Sequence, residues 1–469
     1  MREYSPTEKP LSSWKEIASY LGCDERTCLR WEKKFGLPVH RAGGSQSKSL
    51  VFAYKDELDE WLKRRREGEP ADPSPKAPAR SQSSRRLPFL LGLLPAVVLM
   101  ILGARVLFIK SAGVDASQPY DFKVERSMLI VTNKKGAELW SFDTGVGDLI
   151  DEAAYRQHFG YRKKGSDERI IMPWLKIEDI NGDGRAETLF NVKTTNDVAP
   201  TDLICFDSRG SKLWVYSPGR EMTFGDKHYS PDYALDAVDV LDMGPTVPKK
   251  IFVMMRQKPN WPSYIATLSP QGQVLGEYWN AGRFSDYGLI DIDNDGAPAL
   301  VLVGTNNEYR KGFLAVLDPD SVWGSSPQDG DYKSPDLKPG SELFYLLFPR
   351  TEVDRLEFSQ REAMSTVDML KNNRLMVVAL LSRIIYELNQ RMEVDMVIIS
   401  DGFREKYRKY QAEGGIFPGK LDEEAYAEAL AKAVVYFDGE RWTTTPTRNK
   451  KNLGIYLQKE PKHPGMPVT

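Results

Sequence analysis

The chain has 469 residues, too many for one ordinary domain, with 64 Lys/Arg against 66 Asp/Glu for a net charge of −2. Three cysteines exclude a disulfide framework, and four histidines exclude a histidine-rich metal or acid–base centre. No stretch has the pattern of a nucleophile elbow, a phosphate-binding loop or a paired acid/base motif, so no catalytic residue is assigned and no enzyme activity is expected. The near-neutral total hides an asymmetry: residues 1–110 carry a net +7 and residues 111–469 a net −9.

Ser13-Trp-Lys-Glu16 reads as a capping box, in which a hydroxyl and a carboxylate satisfy the first free N–H groups of a helix. The helix runs to about Leu21, with Ile17, Ala18 and Leu21 on one face. Gly22 allows a sharp turn, and Asp24 can cap a second helix from Glu25 to Phe35, with Leu29 and Phe35 among its apolar positions. Two strand-like pieces follow, Val39–Arg41 and Ser49–Tyr54, around a Gly/Ser-rich tip. A last helix, about Lys55 to Arg66, buries Leu58, Trp61 and Leu62. Helical spacing makes Trp14, Trp31 and Trp61 core residues rather than base-stacking ones. Cys23 and Cys28 read as small buried hydrophobes, with redox sensing as the alternative.

The runs E-I-A-S-Y-L-G at 16–22, R-T-C-L-R-W-E at 26–32, L-P-V-H-R at 37–41 and A-Y-K-D-E-L-D-E-W-L at 53–62 resemble the winged-helix DNA-binding domain of the MerR and excisionase group. The resemblance implies that the second helix enters the major groove of double-stranded DNA and that the wing touches backbone or minor groove. By position, Arg26, Thr27 and Arg30 would face bases or phosphates, Lys33 and Lys34 would lie near phosphates, and Arg41 and Lys48 would be wing contacts. Independently, residues 26–48 hold six Lys/Arg against one Asp/Glu, the concentration of charge that phosphate contact requires. The long dimerisation helix of MerR regulators is missing, so tight binding would need clustering, for instance as a homodimer.

Residues 69–86 are rich in Pro, Ser and Ala and read as a semi-stiff tether. Residues 87–109, LPFLLGLLPAVVLMILGARVLFI, hold one charge, Arg105, and match the length that crosses a bilayer. They predict one transmembrane helix. Lys63, Arg64, Arg65, Arg66, Lys76, Arg80, Arg85 and Arg86 precede it and only Lys110 follows closely. The positive-inside bias then puts the N-terminus in the cytoplasm and the C-terminal body outside it, on a single-pass protein of the cytoplasmic (inner) membrane.

Beyond the apolar run, L-K-I-E-D-I-N-G-D-G-R-A-E-T-L-F at 175–190 and Y-G-L-I-D-I-D-N-D-G-A-P-A-L-V-L at 287–302 place oxygen ligands at alternate positions of a tight loop between strands. In the first, Asp179, Asn181, Asp183 and Glu187 supply side chains and Arg185 a carbonyl, a donor set suited to structural Ca²⁺. The second has Asp291, Asp293 and Asp295 but Ala299 in the ninth place, so it binds more weakly or not at all. A decayed third copy is expected around Asp236, Asp239 and Asp242. Strand–turn–strand units recur at 129–142, 203–216 and 264–278, and the loop starts lie 60 and 52 residues apart, the size of a propeller blade. The loops resemble the FG-GAP/VCBS repeats of integrin-type β-propellers, which implies Ca²⁺ held between blade strands and six or seven blades. Towards the end, 375–381, 384–388 and 394–399 read as strands, 403–413 and 421–432 as amphipathic helices, and 434–443 as a hairpin.

The expected fold class is therefore multidomain. A small α+β winged helix-turn-helix domain spans 1–68, a linker 69–86, one transmembrane helix 87–109, a mainly-β propeller-like repeat domain with C-terminal helices 110–445, and a flexible tail 446–469. In layout this is similar to ToxR-type one-component receptors: a membrane-anchored transcriptional regulator whose propeller senses an extracytoplasmic ligand or protein. The alternative is a propeller adhesion or scaffold protein whose head is a protein-docking module.

Overall fold

The computed structural model describes residues 10–21, 23, 25–42, 50–66, 117–164, 170–195, 201–244, 247–258, 261–293, 296–356, 361–370, 373–413 and 419–452. The fold is mainly β. The head is α1 (Trp14–Leu21), α2 (Glu25–Phe35), an antiparallel pair β1 (His40–Ala42) and β2 (Leu50–Phe52), and α3 (Lys55–Arg66). Ser13 Oγ accepts from Glu16 N at 3.2 Å, but the Glu16 carboxylate turns back to Ser12 N at 2.8 Å, one residue earlier than a reciprocal capping box requires. The head core joins Ile17, Ala18, Cys28, Leu37, Val51, Ala53, Leu58 and Trp61. Cys28, not Leu29, is the buried residue in the middle of α2.

Among the described residues the body has five antiparallel sheets of three or more strands, in chain order: a three-stranded sheet within 121–143, four-stranded sheets within 175–216 and 233–280, a fourth within 282–347, and a four-stranded fifth within 364–398; two-stranded pairs lie at 163–171 and 222–229. The hairpin Val435–Phe437 and Trp442–Thr443 joins the outer edge of the fourth sheet, which therefore has six strands. Against the six or seven blades expected, the described residues form five sheets of three or more strands. The proposed third loop copy is not a loop: Asp236 and Asp239 lie inside the nine-residue strand Tyr233–Leu241.

One turn design recurs at the outer hairpin of four sheets. A side-chain oxygen at the first position, of Asn133, Asp207, Ser269 or Asn389, accepts two backbone N–H groups further along the turn. The fourth position is left-handed: Gly136 (φ 77°), Gly210 (φ 84°), Gly272 (φ 80°) and Met392 (φ 61°). A bulge follows each, the geometry of a type I turn closed by a left-handed residue. Trp140 of the first sheet covers Gly210 of the second, and Trp214 covers Gly272 of the third; a Cβ on either glycine would stand 2.6 Å from the indole.

Each sheet packs face to face on the next. Phe122, Trp140, Phe190 and Phe206 fill the first gap, Leu189, Cys205, Tyr264 and Trp279 the second, Phe252, Tyr287, Leu302 and Phe313 the third, and Val301, Leu346, Val377 and Tyr386 the fourth. This double-sided burial explains strands with no polar face, such as Ala299–Asn306, whose eight residues are all buried. Helix α4 (Glu152–Gln157) closes against the first sheet. Helices α5 (Glu352–Leu356), α6 (Asp401–Ala412) and α7 (Glu423–Lys432) cover the join of the fourth and fifth sheets through Val353, Phe403, Tyr407 and Leu430. No core cluster among the described residues joins the first sheet to the fifth.

The two-compartment arrangement is not supported. No helix among the described residues is long and apolar enough to cross a membrane, and the run 87–109 lies outside them. Head and body are in contact: Phe52 and Tyr54 share a core with Leu370, Met376, Val378, Ile385 and Ile398 of the fifth sheet. A hydrocarbon layer of ~30 Å cannot separate side chains packed against each other. Single-pass membrane anchoring, with the head and body on opposite sides, is accordingly withdrawn.

Candidate functional site

The seam between head and fifth sheet is the best-defined junction between unlike parts of the chain. Strand β2 and the residue pair after it lie along the face of the fifth sheet that points away from the fourth. Phe52 is 1% exposed and Tyr54 7%. The Tyr54 hydroxyl donates to Glu387, a carboxylate in the middle of the strand Ile385–Leu388. Glu387 is wholly buried, and Arg374 also reaches it, at 3.4 Å, while holding Asp395 at 3.3 Å. Burial pushes the Glu387 carboxyl up, and Tyr54, Arg374 and His40 pull it back. His40 stacks on Phe52 with ring centroids 5.2 Å apart and bonds Glu57 at 2.6 Å. A second clamp comes from α6: Arg404 holds Glu423 through two 2.8 Å bonds and donates to Ser12 Oγ at 3.1 Å, just ahead of α1.

Of the residues assigned to DNA, Arg26, Thr27, Arg30, Lys33 and Lys34 are all on α2, where positions 26, 30, 33 and 34 recur at helical spacing. Arg41 is in β1, and Lys48 lies outside the described residues. Thr27 is half-buried. Arg41 pairs in register with Val51, next to the Phe52 that enters the seam.

The first calcium-type loop is ordered by its own hydrogen bonds. Asp179 accepts from Gly182 N at 2.7 Å and Gly184 N at 2.8 Å, Asn181 from Asp183 N at 2.8 Å, and Asp183 from Arg185 N at 2.8 Å. Glu187 accepts from Ile180 N at 3.0 Å and Asn181 Nδ2 at 2.9 Å. Burial pushes its carboxyl up, and Asp183 and Asp179 add to the shift. Lys249 places its ammonium 2.9 Å from the Asp179 carbonyl and 2.9 Å from Glu178. In the second loop Asp291 accepts from Gly296 N at 3.0 Å, Asp293 is exposed, and Asp295 is outside the described residues. Among the described residues no group of three or more His, Cys, Asp or Glu side chains is placed to hold a metal ion. The side-chain oxygens expected from the spacing to hold an ion accept the backbone N–H groups of their own turn.

Sequence reasoning missed Tyr54, Glu387, Arg374 and Arg404. The signal for the first was available: Phe52 and Tyr54 alternate with Val51 and Ala53, so a strand of the head buries both of its faces, more than a module of this size can cover by itself.

No family model matches the chain, and no curated protein matches it. Among solved structures, a protein of unknown function from Bacteroides caccae is similar over 60% of this chain and 72% of that one, at 11% identity and a TM-score of 0.27. The Dos1 propeller is similar over 57% of this chain and 62% of its own, at 12% identity and a TM-score of 0.29. At these scores the likenesses carry no argument, and the description of the fold rests on the sheets themselves.

Proposed function

We propose that this chain is a propeller-type interaction scaffold whose small helical head is a docking module. The observation that carries the reading is the seat of β2 on the fifth sheet, where Phe52 and Tyr54 enter the same core as Met376, Val378 and Ile385. In a propeller that face receives the next blade; here it receives the head. Scaffolds of this kind act by presenting fixed faces to partners, and a body without an assigned catalytic group suits that role. The test is proximity labelling by the full chain in its own cells, beside a Phe52→Asp/Tyr54→Phe variant. A partner set that changes when the head is unseated supports the proposal. An unchanged set with an altered transcript profile rejects it.

A second reading is favoured by one specific observation. Helix α2 follows α1 directly in the chain, and a β pair comes next, the element order of a winged helix-turn-helix. In this reading α2 contacts double-stranded DNA through Arg26, Thr27, Arg30, Lys33 and Lys34, with Arg41 and Lys48 on the wing. Fluorescence anisotropy of the full chain with promoter fragments, at low and high salt, separates the readings. Salt-sensitive binding that Arg26→Ala/Arg30→Ala removes supports DNA contact.

A further inference from the structure

Inner strands of the sheets and the loops beside them line an open cavity of about 660 Å³, within the range of small-molecule sites. Apolar groups make most of its wall, among them Trp261, Phe284 and Met254. Three polar features stand against them. Arg283 is exposed to the cavity, and among the described residues its guanidinium has no ion-pair or hydrogen-bond partner. Arg361 also lines it and donates to the amide oxygen of Asn307. Asn307 is 5% exposed, and its amide nitrogen has no partner, so a donor is left unsatisfied in the wall of the cavity.

The charge is one-sided. Asp236 is the one acidic side chain among the described lining residues, and Arg256 neutralises it at 3.0 Å. Two guanidinium groups therefore face this space in a body whose net charge is −9. An unpaired cation, a second cation and an orphan amide donor in an apolar cavity select for an anion that has an apolar body.

We propose that this cavity binds a small organic carboxylate carrying an aromatic or aliphatic group. Arg283 and Arg361 take the carboxylate, the Asn307 amide donates to it, and Trp261, Phe284 and Met254 pack on the remainder. The site is independent of the head and of its partners.

The test is calorimetric titration of the full chain with 4-phenylbutyrate and with its uncharged amide, 4-phenylbutyramide. The carboxylate should bind about 10- to 100-fold more tightly than the amide, the scale of a charge-assisted hydrogen bond. Arg283→Ala should weaken the carboxylate by a similar factor and leave the amide unchanged. Arg283 is exposed, so this variant should keep the wild-type circular dichroism, and the carboxylate–amide comparison stands without it. Equal affinity for the two probes, no binding of either at millimolar concentration, or full carboxylate affinity in folded Arg283→Ala overturns the proposal.

Discussion

Tyr287 donates its hydroxyl hydrogen to Asp239 at 2.8 Å, across the join of the third and fourth sheets. The other carboxylate oxygen of Asp239 takes the Lys176 ammonium from the second sheet, so one acid ties three consecutive sheets along their inner strands. Lys176 is 2% exposed and Asp239 8%. The same device recurs one sheet on, where buried Asp286 receives Arg162 and the backbone N–H of Val367 in the fifth sheet.

Removing the acid at this junction should therefore be severe. Asp239→Ala takes from buried Lys176 its nearer counter-charge, leaving Glu178 at 3.5 Å, and should cost about 3 kcal/mol in urea denaturation. Tyr287→Phe removes one bond to a charged group and should cost about 1.5–3 kcal/mol. The double variant Lys176→Met/Asp239→Leu should be closer to wild type than Asp239→Ala alone, because it removes the buried ammonium together with its acid while Glu178 keeps Lys249. If it is worse than the single variant, the pair is not the join.

Stability should fall with rising pH because of Glu342. This residue is 1% exposed, and burial pushes its carboxyl up to about 8 from an ordinary 4.5. The folded state then holds a proton that the unfolded state releases. Its contribution is complete below 4.5 and is lost as pH rises toward about 8, at about 1.4 kcal/mol per pH unit within that window. Glu342→Gln keeps an acceptor for Asn449 and should flatten this part of the stability–pH profile. A profile with the same slope in both proteins would show that another group is responsible.

Unseating the head should loosen the fifth sheet in particular. Phe52→Ala empties a fully buried aromatic site and should cost about 3 kcal/mol or more. Hydrogen exchange should then speed up in Leu375–Ala379 and Ile385–Leu388 while the first three sheets stay protected. Unchanged exchange in those two strands would mean that the seam does not hold in solution.

Local chemistry was legible in the sequence, and pairing between distant segments was not. Helices α1–α3 follow from capping and spacing, and the hairpins around Gly136, Gly210 and Gly272 from their turn residues. The equivalent turn at Asn389–Met392 escaped because Met392 stands at the left-handed position where the other three have glycine. Asp239 was misread as a decayed loop ligand, since an aspartate in a strand becomes intelligible only when Lys176 and Tyr287 are placed beside it. The closing of the fourth sheet by Val435–Phe437 pairs it with Phe344–Leu347, far earlier in the chain, and no local pattern announces that. The carboxylates of 179–187 carried a metal-loop spacing, yet their oxygens accept the backbone N–H groups of their own turn.

That loop gives a direct measurement. With its oxygens held by Gly182, Gly184, Asp183, Arg185 and Ile180, the melting temperature should be the same in excess calcium and in excess EGTA. Asp179→Ala, which strips two N–H groups of their acceptor, should lower stability by about 1–2 kcal/mol in either buffer. A calcium-dependent rise of about 2–4 °C, absent in Asp183→Asn, would show that the loop holds the ion as well.

The last expectation concerns the turn of the head. Cys23 and Cys28 bring their sulfurs to 3.3 Å, Cys23 half-buried in the turn and Cys28 buried in α2. A mild dithiol oxidant such as diamide takes two hydrogens from the pair and should close one intramolecular disulfide. Mass spectrometry of the alkylated protein reads the outcome: two labels before oxidation and none after, at these positions. Cys28→Ala should keep one label under the same treatment, with Cys205 buried and inert as the internal control. Because the bridge would fix the junction of α1 and α2, oxidation should also slow exchange across Glu25–Phe35. Full labelling of both cysteines after diamide would show that the sulfurs do not meet in solution.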